Sequence, residues 1–121
     1  MMRASPARWY ALTVPGRQEK AASRELLRRG FHTYLPVRKE RRQWSDRVQT
    51  VALAVFPGYL FVSVGLTAAR RLDLLKCNLV RGIVGTREGN RHLAVPIDDS
   101  EIDALKTLLA SQRALEPVAR L

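Results

Sequence analysis

The 121 residues suffice for one hydrophobic core, and an apolar content of 46% excludes a disordered chain. A single cysteine excludes an internal disulfide framework, and no apolar run reaches the roughly 20 residues that span a membrane. The net charge of +10 favours a polyanionic partner, either nucleic acid or an assembly that contains it. We therefore expect a cytoplasmic monomer with no membrane partner.

The beginning of the chain predicts a helix between two strands. Residues 9–14 are rich in aromatic and β-branched side chains, and a Pro-Gly pair follows them. Residues 17–29 place apolar side chains on one face, which indicates a helix with Gly30 as its C′ residue. Residues 31–36 predict the second strand.

The next segment, residues 37–47, is strongly basic and is predicted to form a projecting hairpin. Its turn is expected at residues 44–47, Trp-Ser-Asp-Arg. Trp44 at the tip could stack on a base or pack against the hairpin arm. The hairpin arginines could touch nucleic acid, although a solvated surface remains open for each one: Arg38, Arg41, Arg42 and Arg47.

An apolar run at residues 51–64 contains three aromatic side chains around a Pro-Gly pair. A strand is expected at residues 59–64, so that Tyr59 and Phe61 point to one face and Leu60 and Val62 to the other. One set can fill the core beneath helices. The other faces the open side of the sheet, where large apolar side chains need a partner. Phe56 and Tyr59 are therefore either core residues or a docking surface.

The second half predicts a helix at residues 67–76, a strand at 80–84 and a short strand at 92–95. The last helix is expected to start at Asp98, with Glu101 in capping-box position. Its apolar stripe consists of Ile102, Leu105, Leu108 and Leu109. The helical spacing of apolar residues ends after Gln112.

The order of elements is thus β-α-β-β-α-β followed by a helix. It predicts an α+β fold, a split β-α-β (ferredoxin-like) arrangement. Its four-stranded antiparallel sheet would have helices packed on one face, a projecting basic hairpin and a C-terminal helix. We expect residues 1–8 to be disordered, 9–112 to form the domain, and 113–121 to be a linker or tail.

Catalytic motifs are absent from the sequence. His32 and His92 lie on expected strands without ligands at metal-binding spacing, and Cys77 has no neighbouring base. The glycines do not fit a phosphate-binding loop. We expect neither an enzyme nor a bound cofactor.

The following motifs, in this order, resemble those of one family: Trp9-Tyr10-Ala11-Leu12, the helix at 17–30, Tyr34-Leu35-Pro36, Phe56-Pro57-Gly58-Tyr59-Leu60-Phe61-Val62, Val80-Arg81-Gly82-Ile83-Val84-Gly85, and a last helix that includes Glu101 and Ile102. The chain resembles the N-terminal domain of the NusG family of transcription elongation factors over about residues 8–112. The hairpin residues 42–47 resemble those of its specialised paralogues, the RfaH, LoaP and UpxY-like antiterminators. In this family a small C-terminal KOW domain usually follows, and residues 113–121 would form the linker toward it.

The resemblance implies a factor that binds the clamp helices of the largest RNA polymerase subunit at the upstream edge of the transcription bubble. Such a domain favours the closed clamp and increases processivity by suppressing pausing and termination. Its polymerase contact would comprise Phe56, Pro57, Tyr59, Thr13, Ile102 and Leu105. At residue 13 some relatives carry an aromatic side chain in place of threonine.

Nucleic acid would be bound by further residues. Arg17 and Gln18 at the start of the first helix could meet phosphates or a splayed base of non-template or upstream DNA. The resemblance places Arg70 and Arg71 opposite the clamp contact, across the DNA channel. A second function stays open, namely a stand-alone RNA- or DNA-binding α+β domain that acts without polymerase.

Overall fold

The computed structural model describes residues 5–111 and 119–120. In chain order, its elements are β1 (Arg8–Thr13), α1 (Glu19–Arg28), β2 (His32–Tyr34), β3 (Val37–Trp44), β4 (Arg47–Ala54), β5 (Tyr59–Val64), α2 (Ala68–Leu75), β6 (Gly82–Ile83), β7 (Gly85–Glu88), β8 (Arg91–Ala94), α3 (Asp99–Ala110) and β9 (Ala119–Arg120).

The centre of the domain is an antiparallel sheet with the strand order β2-β5-β1-β6. The two middle strands pair over their whole length, from Arg8 opposite Val64 to Thr13 opposite Tyr59. Each outer strand is reached through a helix, β2 after α1 and β6 after α2, which is the split β-α-β topology. The sequence-based prediction of the fold class is thus confirmed.

The two faces of this sheet have different neighbours because side chains alternate along a strand. On one face the sheet packs against α1 and α2 and forms the main core. Its buried members from the middle strands and these helices are Tyr10, Leu12, Val14, Leu60, Val62, Val64, Ala22, Leu26 and Leu74. The lone Cys77 is buried in the same core.

The third helix lies on the opposite face, where Ile102 packs against Trp9 and Phe61. It begins after Asp98, as expected, but the Asp98 side chain makes no capping hydrogen bond, so the predicted capping box is wrong. The backbone carbonyl of Asp98 instead accepts the N–H groups of Glu101 and Ile102. A side-chain cap is found on α2, where the Thr67 hydroxyl accepts the Arg70 N–H at 3.2 Å.

The first helix begins later than predicted, at Glu19 instead of residue 17. The reason is that Arg17 has a φ of 70°, in the left-handed region that cannot continue a right-handed helix. Gln18 is the N-cap residue. At the other end, Gly30 has a φ of 90° and occupies the expected C′ position.

The basic hairpin is longer than expected because β4 continues to Ala54, into the apolar run. Trp44 pairs with Arg47 across a two-residue loop, where Ser45 has a positive φ of 53° as such tight hairpins require. The hairpin forms a separate sheet in which β9 pairs with β3 in parallel.

A second hairpin, β7-β8, was predicted only in part, as a strand at 92–95. Strand β7 consists of exposed, largely polar residues, so it gives no hydrophobic signal. The strand predicted at 80–84 is shortened to the two residues of β6. None of the helices within the described residues is long and apolar enough to cross a membrane.

Candidate functional site

An aromatic layer covers the face of the central sheet that α1 and α2 leave free. The register pairs Ala11 with Phe61 and Thr13 with Tyr59, and in β2 it pairs Tyr34 with Phe61. Paired residues on neighbouring strands share a face, so these side chains form one surface together with Trp9.

The rings of this layer contact one another in a continuous series that runs from Trp9 to Phe56. Trp9 and Tyr34 meet edge to face with centroids 6.4 Å apart, and Tyr34 stacks with Phe61 at the same distance. Phe56 then meets Phe61 edge to face at 6.1 Å. Such pairs contribute roughly 0.5–1.5 kcal/mol beyond their area burial, so the layer is a connected and rigid unit.

Helix α3 covers one end of this layer. Ile102 is only 2% exposed and Leu105 packs beside it, so Ile102 supports the surface from within and offers no contact area of its own. The Lys106 ammonium lies 5.2 Å from the Trp9 ring centroid and 5.1 Å from that of Tyr34, close enough for cation–π attraction. Burial raises the pKa of the Tyr34 hydroxyl.

The other end of the layer is open. Phe56 is 41% exposed and Tyr59 is 43% exposed, while Thr13 is half-buried and donates its hydroxyl proton to the Gly82 carbonyl at 3.4 Å. We call the four residues Thr13, Phe56, Pro57 and Tyr59 the aromatic patch. The predicted polymerase contacts therefore include four residues on one exposed surface and two, Ile102 and Leu105, in the helix that flanks it.

A tight turn shapes the patch. The Tyr59 N–H donates to the Phe56 carbonyl at 3.0 Å, and Gly58 has a φ of 84°. Proline at the second turn position and a glycine with positive φ at the third are typical of a type II turn. The Gly58 N–H donates to a carboxylate oxygen of Glu19 at 2.7 Å, which ties the turn to the start of α1.

A basic cleft of about 460 Å³ borders the patch, between the start of α1 and the base of the long hairpin. Its charged lining residues are Arg17, Lys20 and Arg38 together with one acidic residue, Glu19, and Pro57 also borders it. The Lys20 ammonium donates to the Ala52 carbonyl at 3.0 Å and so joins the helix to the hairpin. The cleft carries positive charge and shares Pro57 with the aromatic patch, an arrangement suited to binding a phosphate backbone.

The two faces of the hairpin differ in how their charges are paired. Pairing places Arg38, Arg42 and Trp44 on one face, where the Glu40 carboxylate lies 3.2 Å from Arg38 and 3.3 Å from Arg42. Arg47, opposite Trp44, shares that face. The other face holds Lys39 and Arg41. The hairpin residues predicted to bind nucleic acid are thus divided between two surfaces.

The remaining predicted cations lie elsewhere. Arg70 stacks over the Phe31 ring at 4.2 Å, and its guanidinium is 3.9 Å from Asp73. Arg71 donates to the Nδ1 atom of His92 at 2.6 Å. Both arginines lie on α2, in the layer behind the sheet, so the structure does not bring them onto the aromatic patch.

Phe61, Tyr34 and Trp9 form the aromatic base of the patch. Sequence reasoning placed Phe61 on the same face as Tyr59 but missed Tyr34 and Trp9, although strand alternation alone could have placed Trp9 there. Glu19 gave no signal, because an acidic residue in the first turn of a helix is usually solvated. Among the described residues no group of three His, Cys, Asp or Glu side chains could hold a metal ion.

Comparison with known proteins agrees with this architecture. The family profile described as "Transcription termination factor nusG" matches residues 7–106. No curated protein sequence matches the chain. The solved structure "Domain interaction in Thermotoga maritima NusG" is similar with a TM-score of 0.62 and 18% identity over 88% of this chain. The chain spans 59% of that structure's length, and at this identity the likeness concerns the fold alone.

Proposed function

The chain belongs to the NusG family of transcription factors, and from this premise we propose that it is a non-enzymatic elongation and antitermination factor. The proposed contact joins the aromatic patch to the clamp helices of the largest RNA polymerase subunit, near the upstream edge of the bubble. By holding the clamp closed, the bound domain suppresses pausing and termination.

The exposure of Phe56 and Tyr59 is the observation that supports this proposal best. Two aromatic side chains project from an otherwise well-packed layer, beside a proline and on a rigid turn. Exposed aromatic anchors of this kind are usual energetic centres of protein interfaces. The clamp contact is expected to bury both rings, with Thr13 at the edge and α3 flanking them.

A second surface is proposed to bind nucleic acid beside the first. Arg17 lines the basic cleft together with Pro57 of the patch, Gln18 follows it as the N-cap residue of α1, and the cleft continues to the hairpin. Upstream or non-template DNA is the expected ligand, held through its phosphates. Arg70 and Arg71 would act separately, from the side of α2.

The long hairpin supports the narrower proposal that the factor resembles the specialised antiterminators. Eight-residue strands reach roughly 25 Å from the base of the hairpin to its tip. The exposed ring of Trp44 and the cationic side chain of Arg47 lie at this tip. A hairpin of this length and charge could contact the upstream duplex beyond the clamp.

The function can be tested with reconstituted elongation complexes halted before a pause site. The wild-type domain should shorten the pause, and the Phe56→Ala/Tyr59→Ala variant should not. Leu72→Ala is a matched control, since it removes an exposed apolar side chain from α2, far from the patch in the layered fold. A double variant as active as the wild type would contradict the proposal.

The second candidate is a stand-alone nucleic-acid-binding domain, favoured by the hairpin face that carries Lys39 and Arg41. It predicts tight, steeply salt-dependent binding to naked DNA or RNA. A gel-shift titration without polymerase separates the two candidates. Weak binding there, together with tight binding to the elongation complex, supports the polymerase-bound factor.

A further inference from the structure

Glu19 is an acidic side chain enclosed by the domain, since it is only 5% exposed at the first position of α1. A carboxylate is costly to bury unless hydrogen bonds replace its hydration. Its closest donor is the Gly58 N–H, 2.7 Å from one carboxylate oxygen. This bond joins residues 39 positions apart in the chain.

Burial alone would raise the pKa of Glu19, but the backbone N–H of Gly58, with smaller contributions from the backbone N–H groups of Glu19 and Arg17 and from the charge of Lys20, lowers the pKa below its ordinary value of 4.5. The side chain is therefore ionised at neutral pH and accepts a hydrogen bond from the turn that contains Gly58.

The segment that leads into α1 contains Arg17, whose φ of 70° is uncommon for a residue with a side chain. Arg17 and Glu19 both line the basic cleft. The residue whose carboxylate binds the Gly58 turn therefore also forms part of the wall of this cleft.

The carboxylate binds the turn that presents the aromatic patch. Its Gly58 is bound from both sides, because the N–H donates to Glu19 and the carbonyl accepts the Val14 N–H at 2.9 Å. With both polar groups of Gly58 engaged, Phe56 and Tyr59 on either side of it have little freedom to reorient.

We propose that Glu19 is a positioning residue that locks the turn of the aromatic patch against the start of α1 in one fixed arrangement. Its carboxylate connects the surface proposed for polymerase with the surface proposed for nucleic acid, so that both are presented together. Preorganisation of this kind strengthens binding by reducing what must be ordered when the complex forms. The expected effect of Glu19 on polymerase binding rests on the proposed function, whereas the locking of the turn does not depend on that function.

The experiment compares Glu19→Ala and Glu19→Gln with the wild-type domain. Glutamine keeps an acceptor oxygen at the same place, whereas alanine removes it. Glu25→Ala is the control, because Glu25 lies on the same helix and pairs with Arg28 and Arg29 at the surface. Polymerase affinity should fall about tenfold in Glu19→Ala, recover largely in Glu19→Gln, and stay unchanged in Glu25→Ala.

The locking is measured separately by NMR, without polymerase. The Gly58 amide should be protected from hydrogen exchange, and its chemical shift should follow the titration of Glu19 in the acid range. The charged side chains that line the cleft beside Glu19 are Arg17, Lys20 and Arg38. In Glu19→Gln the titration should vanish while the protection remains.

These readouts distinguish the possible failures. If the chemical shift of the Gly58 amide does not change as Glu19 titrates, the proposed locking is contradicted, whether or not Glu19→Ala folds. A Glu19→Gln variant that binds polymerase as weakly as Phe56→Ala/Tyr59→Ala, with Gly58 still protected, would overturn the positioning role. If the Phe56→Ala/Tyr59→Ala variant binds as tightly as the wild type, the proposed function fails while the NMR result stands.

Discussion

The exposed ring of Phe56 meets the buried ring of Phe61 edge to face, with centroids 6.1 Å apart. Phe61 belongs to the aromatic layer beneath α3, and Phe56 projects from the turn beside it. One ring therefore anchors the other. The patch is an extension of a packed layer, which explains how a solvent-exposed aromatic side chain can have a defined orientation.

The alternation along β5 predicts a large loss of stability at one residue and a small loss at its neighbour. Leu60 is fully buried in the main core, so Leu60→Ala should lower the free energy of unfolding by about 3 kcal/mol. Tyr59 is exposed, so Tyr59→Ala should lower it by less than about 1 kcal/mol. Urea denaturation followed by circular dichroism measures both. Equal losses would contradict the assignment of the two faces.

The turn at Gly58 should be sensitive to an added side chain. At a φ of 84° an alanine is strained, and Gly58→Ala should cost roughly 1–2 kcal/mol of stability. Its Cβ would meet only the Val14 carbonyl oxygen, at an ordinary 3.5 Å, so the cost is conformational and not steric. Thermal unfolding measures it.

Gly16 provides the control for that substitution. No atom lies within 4 Å of an added Cβ there, and its φ is outside the left-handed region. Gly16→Ala should change stability by less than about 1 kcal/mol, because alanine also reduces the freedom of the unfolded chain. A Gly58→Ala variant as stable as Gly16→Ala would mean that the turn does not need its left-handed residue.

Stability should depend on pH through Glu19. Because its pKa is lower in the folded than in the unfolded chain, its contribution is complete above the ordinary value of 4.5 and is lost as pH falls through the folded-state pKa. The wild type should therefore lose more stability on acidification than Glu19→Gln. The pKa of Glu25 is also lowered, by hydrogen bonds from Arg28 and Arg29. Because Glu25 is present in both proteins, its effect on stability cancels in the comparison. Parallel pH profiles would contradict this prediction.

Arginines on the two hairpin faces should contribute unequally to nucleic-acid binding. Arg41 lies with Lys39 on one face, whereas Arg42 on the other lies 3.3 Å from the Glu40 carboxylate. Arg41→Ala should reduce the slope of log affinity against log salt by about 1, and Arg42→Ala by less. Binding of a fluorescent DNA fork at several salt concentrations measures both slopes. A larger effect of Arg42→Ala would contradict the inferred difference between the faces.

The sequence predicted the fold because its signals are local. Strand alternation separated Leu60 from Tyr59, and the Trp44–Arg47 loop was recognised from its turn residues. The extent of β4 was missed because the apolar run at residues 51–64 contains parts of two strands on either side of the turn.

The family resemblance supplied the candidate contact residues, whereas the geometry of the site was predictable from the residues themselves only where it depends on periodicity. The carboxylate of Glu19 meets Gly58 through tertiary structure, and no spacing in the chain indicates that contact. The docking of α3 on the free face, where Ile102 meets Trp9, likewise depends on which surface the first two helices leave open. Long-range contacts of this kind have no period that a single sequence can display.

The affinity of the domain for RNA polymerase tests the central claim most directly. Titration of labelled polymerase with wild-type, Phe56→Ala/Tyr59→Ala and Leu72→Ala domains, each checked for cooperative unfolding, yields three dissociation constants. Truncation of an anchor costs roughly 2 kcal/mol or more, so the double variant should bind at least a hundredfold more weakly, by about 2.8 kcal/mol. Leu72→Ala should match the wild type. Wild-type affinity in a folded double variant would contradict the aromatic patch as the polymerase-binding surface.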